Sequence, residues 1–184
     1  MQKLITFFLV TFVTSVVVAQ SINTGLVNAI DYLIEKDPHP KKNDPEWSVE
    51  MAQALDDAAK EYDLDPWLLT AMAEIESDFT PAVINLKKLG PAGEKGILQC
   101  GKDCYRKCPH FMDTVEGQAL CGARWLRIAM DTCKGKGGRH SDEWAGLAYY
   151  ANGKYCDPPK GHNSNWKADK RIKLRDRLKN RFGK

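Results

Sequence analysis

Residues 62–81 read YDLDPWLLTAMAEIESDFTP and contain a strong helix start signal followed by three closely spaced carboxylates. Asp65 precedes Pro66, and an aspartate N-cap followed by proline at the first helical position is a common way to begin a helix. Apolar residues then recur at helical spacing, which predicts a helix that ends at about Ser77. The remaining question is which carboxylate, if any, takes part in chemistry.

Glu76 falls on a different side of this helix from Glu74 and Asp78. If Leu68 is placed at 0° and each residue advances by about 100°, the apolar face is centred at about 30°. Glu76 then falls at about 80°, at the edge of this face, whereas Glu74 at about 240° and Asp78 at about 280° lie away from it. A carboxylate beside an apolar face is costly unless it is paired, hydrogen-bonded or protonated, and desolvation raises the pKa of a carboxyl group. Glu76 is therefore the candidate general acid, and Glu74 is expected to be an ordinary solvated glutamate.

A structural role for Glu76 is the alternative, because a buried glutamate paired with arginine or lysine has the same position on a helix. The two roles differ in the expected effect of a glutamine substitution. A carboxyl group that resists ionisation can be replaced without loss of stability, which is the outcome we expect for Glu76. Loss of one partner of a buried ion pair typically costs about 3 to 5 kcal/mol.

The rest of the chain has helical periodicity and lacks alternating runs of β-branched residues. Helices are predicted over about 26–34, 48–62, 114–133 and 141–151. Residues 80–96 are rich in glycine and proline and predict an irregular connection that is partly β. The patterns predict an all-α fold with at most a small β element.

Residues 1–19 have the form of a signal peptide, with Lys3, an apolar core and a small-residue end at Val17-Val18-Ala19. A membrane anchor is the alternative, but about 15 apolar residues are fewer than the roughly 20 that span a bilayer. We predict a cleaved signal peptide, a periplasmic or secreted protein, and no integral membrane segment after cleavage.

All six cysteines lie in the second half of the chain: Cys100, Cys104, Cys108, Cys121, Cys133 and Cys156. An even number of cysteines in an exported protein predicts up to three disulfides, whose connectivity stays open. A metal site is the alternative for the first three, but their C-x3-C-x3-C spacing lacks the paired C-x2-C of zinc sites. We expect disulfides that join this cluster to the helices carrying the later cysteines, and no bound metal.

Positive charge is concentrated at the C-terminal end. Residues 167–184 carry nine Lys/Arg and two Asp, a net charge of +7, whereas residues 20–166 carry a net charge of −5. Leu174, Leu178 and Phe182 recur every four residues, so this segment can form an amphipathic helix. Its basic face is either an ordinary solvated surface or a contact site for anionic wall polymer or a membrane surface. A nucleic-acid partner is not expected for an exported protein.

Three short motifs follow one another in an order typical of one enzyme family. They are Glu76-Ser77, GILQ at residues 96–99 and AYYANG at residues 148–153. Together with the helical segments between them, they resemble the lytic transglycosylase family (the soluble lytic transglycosylase catalytic domain) of the lysozyme-like superfamily. The resemblance spans about residues 48–155.

This resemblance implies a lysozyme-like single domain, stapled here by disulfides, that binds peptidoglycan glycan strands. The family cleaves the β-1,4 bond between N-acetylmuramic acid and N-acetylglucosamine and forms a 1,6-anhydromuramyl product without a cofactor. By position, Glu76 would be the catalytic residue, and the substrate-binding residues would be Ser77, Gln99, Tyr150 and Asn152.

Several alternatives stay open at this point. Either Tyr149 or Tyr150 can face the cleft, and Asn152 stands one position after the usual family asparagine. A hydrolytic muramidase would need a second acid, and three acids lie near the motifs in sequence: Asp78, Glu94 and Glu116. The other alternative is a peptidoglycan-binding module without catalysis.

The expected organisation has four segments. Residues 1–19 are the signal peptide, residues 20–46 an N-terminal helix and linker, residues 47–166 the catalytic domain, and residues 167–184 a basic C-terminal helix or tail. The protein is expected to be a monomer.

Overall fold

The computed structural model describes residues 22–35, 45–110 and 112–184, which form eight helices. They are α1 (Thr24–Glu35), α2 (Pro45–Glu61), α3 (Pro66–Ser77), α4 (Pro81–Ile84), α5 (Lys102–Arg106), α6 (Val115–Cys133), α7 (Asp142–Asn152) and α8 (Asn163–Phe182). Within these ranges the β structure is limited to an antiparallel bridge between Lys95 and Cys100. The predicted all-α fold with at most a small β element is therefore confirmed. The predicted signal peptide lies outside the described residues and stays a prediction.

The hydrophobic core lies where the long helices meet. Helix α6 packs against α2 and α7, and α8 packs against α3 and α7. Each of these helices buries large apolar side chains, among them Leu55, Leu69, Met72, Leu126, Leu147 and Leu178. Full burial of one such side chain contributes about 1.5 to 3 kcal/mol. Across the described ranges, no helix has both the length and the apolar character needed to cross a membrane.

Helix α3 begins as the sequence predicts. Pro66 is its first residue, and the Asp65 carboxylate accepts a hydrogen bond of 3.0 Å from the backbone N–H of Trp67. The helix ends at Ser77, because Asp78 adopts a left-handed conformation with φ of 51°. Glu76 therefore lies in the last turn, where the chain leaves the helix.

The basic C-terminal segment is part of helix α8, which docks onto the core. The helix begins at Asn163, and its buried side chains are Ser164, Ala168, Arg171, Leu174 and Leu178. Phe182 is half-buried, and its ring centroid lies 5.6 Å from that of Tyr32 on α1. The predicted apolar stripe is thus the docking face, and residues 167–182 belong to the packed domain.

The six cysteines form three disulfides: Cys100–Cys104, Cys108–Cys121 and Cys133–Cys156. The first closes a short loop at the start of α5, the second ties the residues after α5 to α6, and the third ties the end of α6 to the segment after α7. Only Cys108 therefore joins the predicted cluster to a later cysteine. Since each sulfur is bonded to another sulfur, the cluster does not offer free thiolates to a metal.

Candidate active site

A cleft of about 470 Å³ opens beside the last turn of α3. Its polar and aromatic lining comes from five helices and the segment before α5: Glu76, Glu94, Gln99, Lys102, Asp103, Trp125, Tyr150, Lys167 and Arg171. Three of the predicted site residues, Glu76, Gln99 and Tyr150, are thus brought together from distant parts of the sequence. Ser77 and Asn152 do not line the cleft.

Glu76 forms an ion pair at the wall of this cleft. Its side chain is 11% exposed, and its Oε1 atom accepts a hydrogen bond from Nη2 of Arg171, whose side chain is 0% exposed. Glu76 is therefore not the unpaired carboxyl group on which the expected tolerance of glutamine rested, and we now expect the substitution to lower stability. The substitution would leave a buried guanidinium without its compensating charge.

The segment from Lys95 to Cys100 places Gln99 at the cleft. The backbone N–H of Cys100 donates to the carbonyl of Lys95 at 2.8 Å, and the reverse bond measures 3.0 Å, so the chain closes into a tight turn. Gly96 has φ of +75°, and a Cβ atom there would lie 2.6 Å from the side chain of Gln118, so the turn requires glycine. The Gln99 side-chain amide donates to the Gly96 carbonyl at 3.0 Å. Gln99 is therefore held against its own turn.

Gln118 on α6 holds this turn in place through hydrogen bonds of its side chain. Its Oε1 atom accepts from the N–H of Ile97 at 2.9 Å, and its Nε2 atom donates to the carbonyls of Ile84 and Met112 at 2.8 and 3.0 Å. Because Gln118 is buried, these bonds also satisfy its own polar atoms. Sequence reasoning missed this residue, although a glutamine on the apolar face of a predicted helix is a signal for such a role.

Tyr150 faces the cleft, whereas Tyr149 does not line it. The hydroxyl of Tyr150 donates to the carbonyl of Leu98 at 2.7 Å, which ties α7 to the turn that carries Gln99. Burial, and next the negative charge of Glu76, raise the pKa of the Tyr150 hydroxyl, while the charge of Arg171 lowers it. The raised pKa extends to higher pH the range in which the Tyr150 hydroxyl is neutral and can donate this hydrogen bond.

Ser77 and Asn152 make hydrogen bonds to the backbone. Ser77 is buried, and its hydroxyl donates to the carbonyl of Ala73 at 2.8 Å. The Asn152 side chain bonds to backbone groups of Ala148, Lys154 and Tyr155. These contacts fix the ends of α3 and α7, and a direct substrate contact for either residue stays a prediction.

A family model described as the transglycosylase SLT domain matches residues 53–173, about two-thirds of the chain. The chain belongs to this family. It is the lytic transglycosylase family of the lysozyme-like superfamily, whose members bind peptidoglycan and cleave its glycan. Among curated proteins, none matches the chain. The matched region of the SLT domain includes Glu76, Gln99, Tyr150 and Arg171.

The acids that could serve as a second catalytic carboxylate lie at different places in the SLT domain. Glu94 lines the cleft, and one of its carboxylate oxygens accepts from the N–H of Ala92 at 2.8 Å. Asp78 and Glu116 line other depressions of the surface. Asp103, which sequence reasoning did not single out, joins Glu94 at the cleft.

Glu74 lies outside the cleft of the SLT domain, on the side where α3 meets α8. It is half-buried and lines a second depression together with Asp78 and Trp166. Glu74 is therefore not the ordinary solvated glutamate that the sequence predicted, because the docking of α8 covers part of this helix face. Glu74 and Glu76 lie on different sides of α3, as the helical geometry predicts.

Arg171 is the main residue of the site that sequence reasoning missed. It lies three residues before Leu174 and so belongs to the apolar stripe of α8. A cation on an apolar stripe predicts a buried acidic partner, which would have been the available signal.

Proposed function

We propose that this chain is a peptidoglycan lytic transglycosylase that cleaves the β-1,4 bond between N-acetylmuramic acid and N-acetylglucosamine and leaves a 1,6-anhydromuramyl end. The observation that carries the proposal is the place of Glu76. It is a carboxylate at the wall of the cleft, inside the region matched by the SLT family, and it is paired with the buried guanidinium of Arg171.

One glutamate can serve both steps of this reaction. Glu76 as an acid donates its proton to the glycosidic oxygen while the bond from that oxygen to C1 of the muramic acid breaks. The resulting carboxylate then removes the proton of the C6 hydroxyl of the same sugar, and the C6 oxygen bonds to C1. The second step returns the proton to Glu76, so each turnover ends with the acid that the next one requires.

The other residues of the cleft would orient the sugar. Gln99 and Tyr150 are held by hydrogen bonds to the Gly96 and Leu98 carbonyls, so they present a fixed surface to the acetamido and hydroxyl groups. Trp125 is half-buried and offers an aromatic face. Ser77 and Asn152 would act by fixing the helix ends that carry Glu76 and Tyr150.

Mass spectrometry of digested peptidoglycan tests the proposal. We expect muropeptides that end in 1,6-anhydromuramic acid. Reducing ends, about 18 Da heavier because water has been added, would show a hydrolase. Intact glycan after prolonged incubation would show a binding module without catalysis.

A hydrolytic muramidase is the second candidate, because two further carboxylates, Glu94 and Asp103, line the same cleft. Either could activate a water molecule opposite Glu76. In that case the variants Glu94→Gln or Asp103→Asn would lose activity, and oxygen from labelled water would appear in the reducing end. A transglycosylase incorporates no label.

We propose that residues 1–19 export the protein and that it acts outside the cytoplasm.

We also propose that α8 contacts anionic wall polymer. Lys170, Lys173 and Arg177 are exposed on α8 beside Trp166, which is 59% exposed. The Lys170 ammonium lies 5.0 Å from the centre of the Trp166 ring. This cluster is the basic face of α8.

Removing two charges from the basic face is expected to weaken binding to whole sacculi. The double variant Lys170→Gln/Lys173→Gln should bind less at low salt and approach wild type as salt screens the attraction, while cleavage of short soluble glycans stays within about twofold. Sedimentation with sacculi measures the binding. A matched control, Lys134→Gln/Lys136→Gln, removes the same charge from exposed residues between α6 and α7. Equal losses in both double variants would contradict a specific role of α8.

A further inference from the structure

Arg171 connects three helices through one guanidinium. It belongs to α8, its Nη2 atom donates to Glu76 on α3, and its Nη1 atom donates to the carbonyl of Leu147 on α7 at 3.0 Å. Its guanidinium carbon lies 5.4 Å from the centre of the Tyr150 ring. Arg171 therefore contacts two other residues that line the cleft, Glu76 and Tyr150.

A buried ion pair contributes little net stability to a fold. The attraction between two buried charges only partly offsets the free energy lost when they are desolvated. Apolar residues of similar volume often stabilise a protein as well or better. In the described part of the chain, the Nε atom of Arg171 is buried without a hydrogen-bond partner, which adds a further cost. The position of this pair at the cleft wall favours a functional reason for it.

We propose that Arg171 is a positioning residue for Glu76. It holds the carboxylate in one orientation and compensates the negative charge that Glu76 carries between the two proton transfers. The inference rests on the proposed function, in which Glu76 is the acid and then the base. Since Arg171 belongs to α8, the catalytic geometry depends on the docked C-terminal helix.

The bond to Leu147 explains how this role would work. Because the Leu147 carbonyl holds Nη1, the guanidinium stays in place when the proton on Glu76 moves. A preorganised charge of this kind stabilises a developing negative charge without reorganising during the reaction. Misplacement of a catalytic group by about 1 Å can cost about 10²-fold in rate.

The test compares kcat and KM of Arg171→Met, Arg171→Lys and Arg175→Met on soluble glycan oligomers. We expect Arg171→Met to lower kcat by about 10²-fold and to leave KM within about threefold. Arg171→Lys should lower kcat by about 10-fold, because lysine keeps the charge but lacks the planar fork that reaches both partners. Arg175 is the matched control one turn further along α8. It donates to both carboxylate oxygens of Glu143 at 2.6 Å and does not line the cleft, so Arg175→Met should keep kcat within about twofold.

Thermal unfolding shows whether each variant is folded. A lower kcat in a folded variant indicates a positioning role, whereas a lower kcat that follows from unfolding indicates a structural one. A kcat of Arg171→Met within about twofold of that of Arg175→Met would overturn the inference. If Arg171→Met does not fold, Arg171→Lys decides, and a kcat within about twofold of wild type would overturn it. A wild-type protein that releases no product refutes the proposed function itself. If wild type cleaves, Glu76→Gln does not, and Arg171→Met cleaves normally, only the role of Arg171 fails.

Discussion

Replacing Glu76 with glutamine is expected to lower the cleavage of peptidoglycan by about 10²- to 10⁴-fold per folded molecule. Glutamine keeps the volume of the side chain and can still accept a hydrogen bond from Arg171, but it cannot donate or accept the catalytic proton. The rate of release of muropeptides from purified peptidoglycan measures the loss. Binding to sacculi should survive, since the lining of the cleft is otherwise unchanged.

The same substitution is expected to lower the free energy of unfolding by about 3 to 5 kcal/mol. Arg171 remains buried, and its positive charge loses the compensating carboxylate. Urea unfolding of wild type and Glu76→Gln gives this difference, and the activity must then be expressed per folded molecule. A variant as stable as wild type would show that the ion pair is not formed in solution.

Glu74→Gln is the matched control, two residues away on the same helix. Glu74 does not line the cleft, so its substitution should leave the rate within about twofold of wild type. An inactive Glu74→Gln protein, or an active Glu76→Gln protein, would show that the acid has been placed on the wrong face of α3.

A chain that ends at Trp166 is expected not to fold. The truncation removes the buried Leu174 and Leu178, each worth about 2 to 5 kcal/mol when truncated, and it leaves Glu76 without Arg171, at about 3 to 5 kcal/mol. Together these losses are comparable to the whole stability of a typical domain, about 5 to 15 kcal/mol.

Circular dichroism and the thermal transition measure this outcome. The control truncation removes only residues 183–184, which are exposed at the end of α8, and should retain the full transition and activity. A folded and active protein that ends at Trp166 would show that α8 is a removable tail. It would also rule out the role inferred for Arg171.

The sequence by itself determined the local features of this protein. The predicted N-cap of α3, Asp65, is present, and α6 and α7 each begin one residue after the predicted start. The edge position of Glu76 and the apolar stripe of α8 were also predictable. Each of these features depends on residues within a few positions of one another, and helical periodicity and capping act at that range.

Only the tertiary structure decided what these features contact. Arg171 meets Glu76 across 95 residues, Tyr150 meets Leu98 across 52, and Cys108 pairs with Cys121 while Cys100 pairs locally. Periodicity shows that α3 and α8 each have a face to bury, but not which faces meet. That choice depends on the packing of all the long helices at once, and it converts Glu76 from a lone carboxyl group into the partner of a buried arginine.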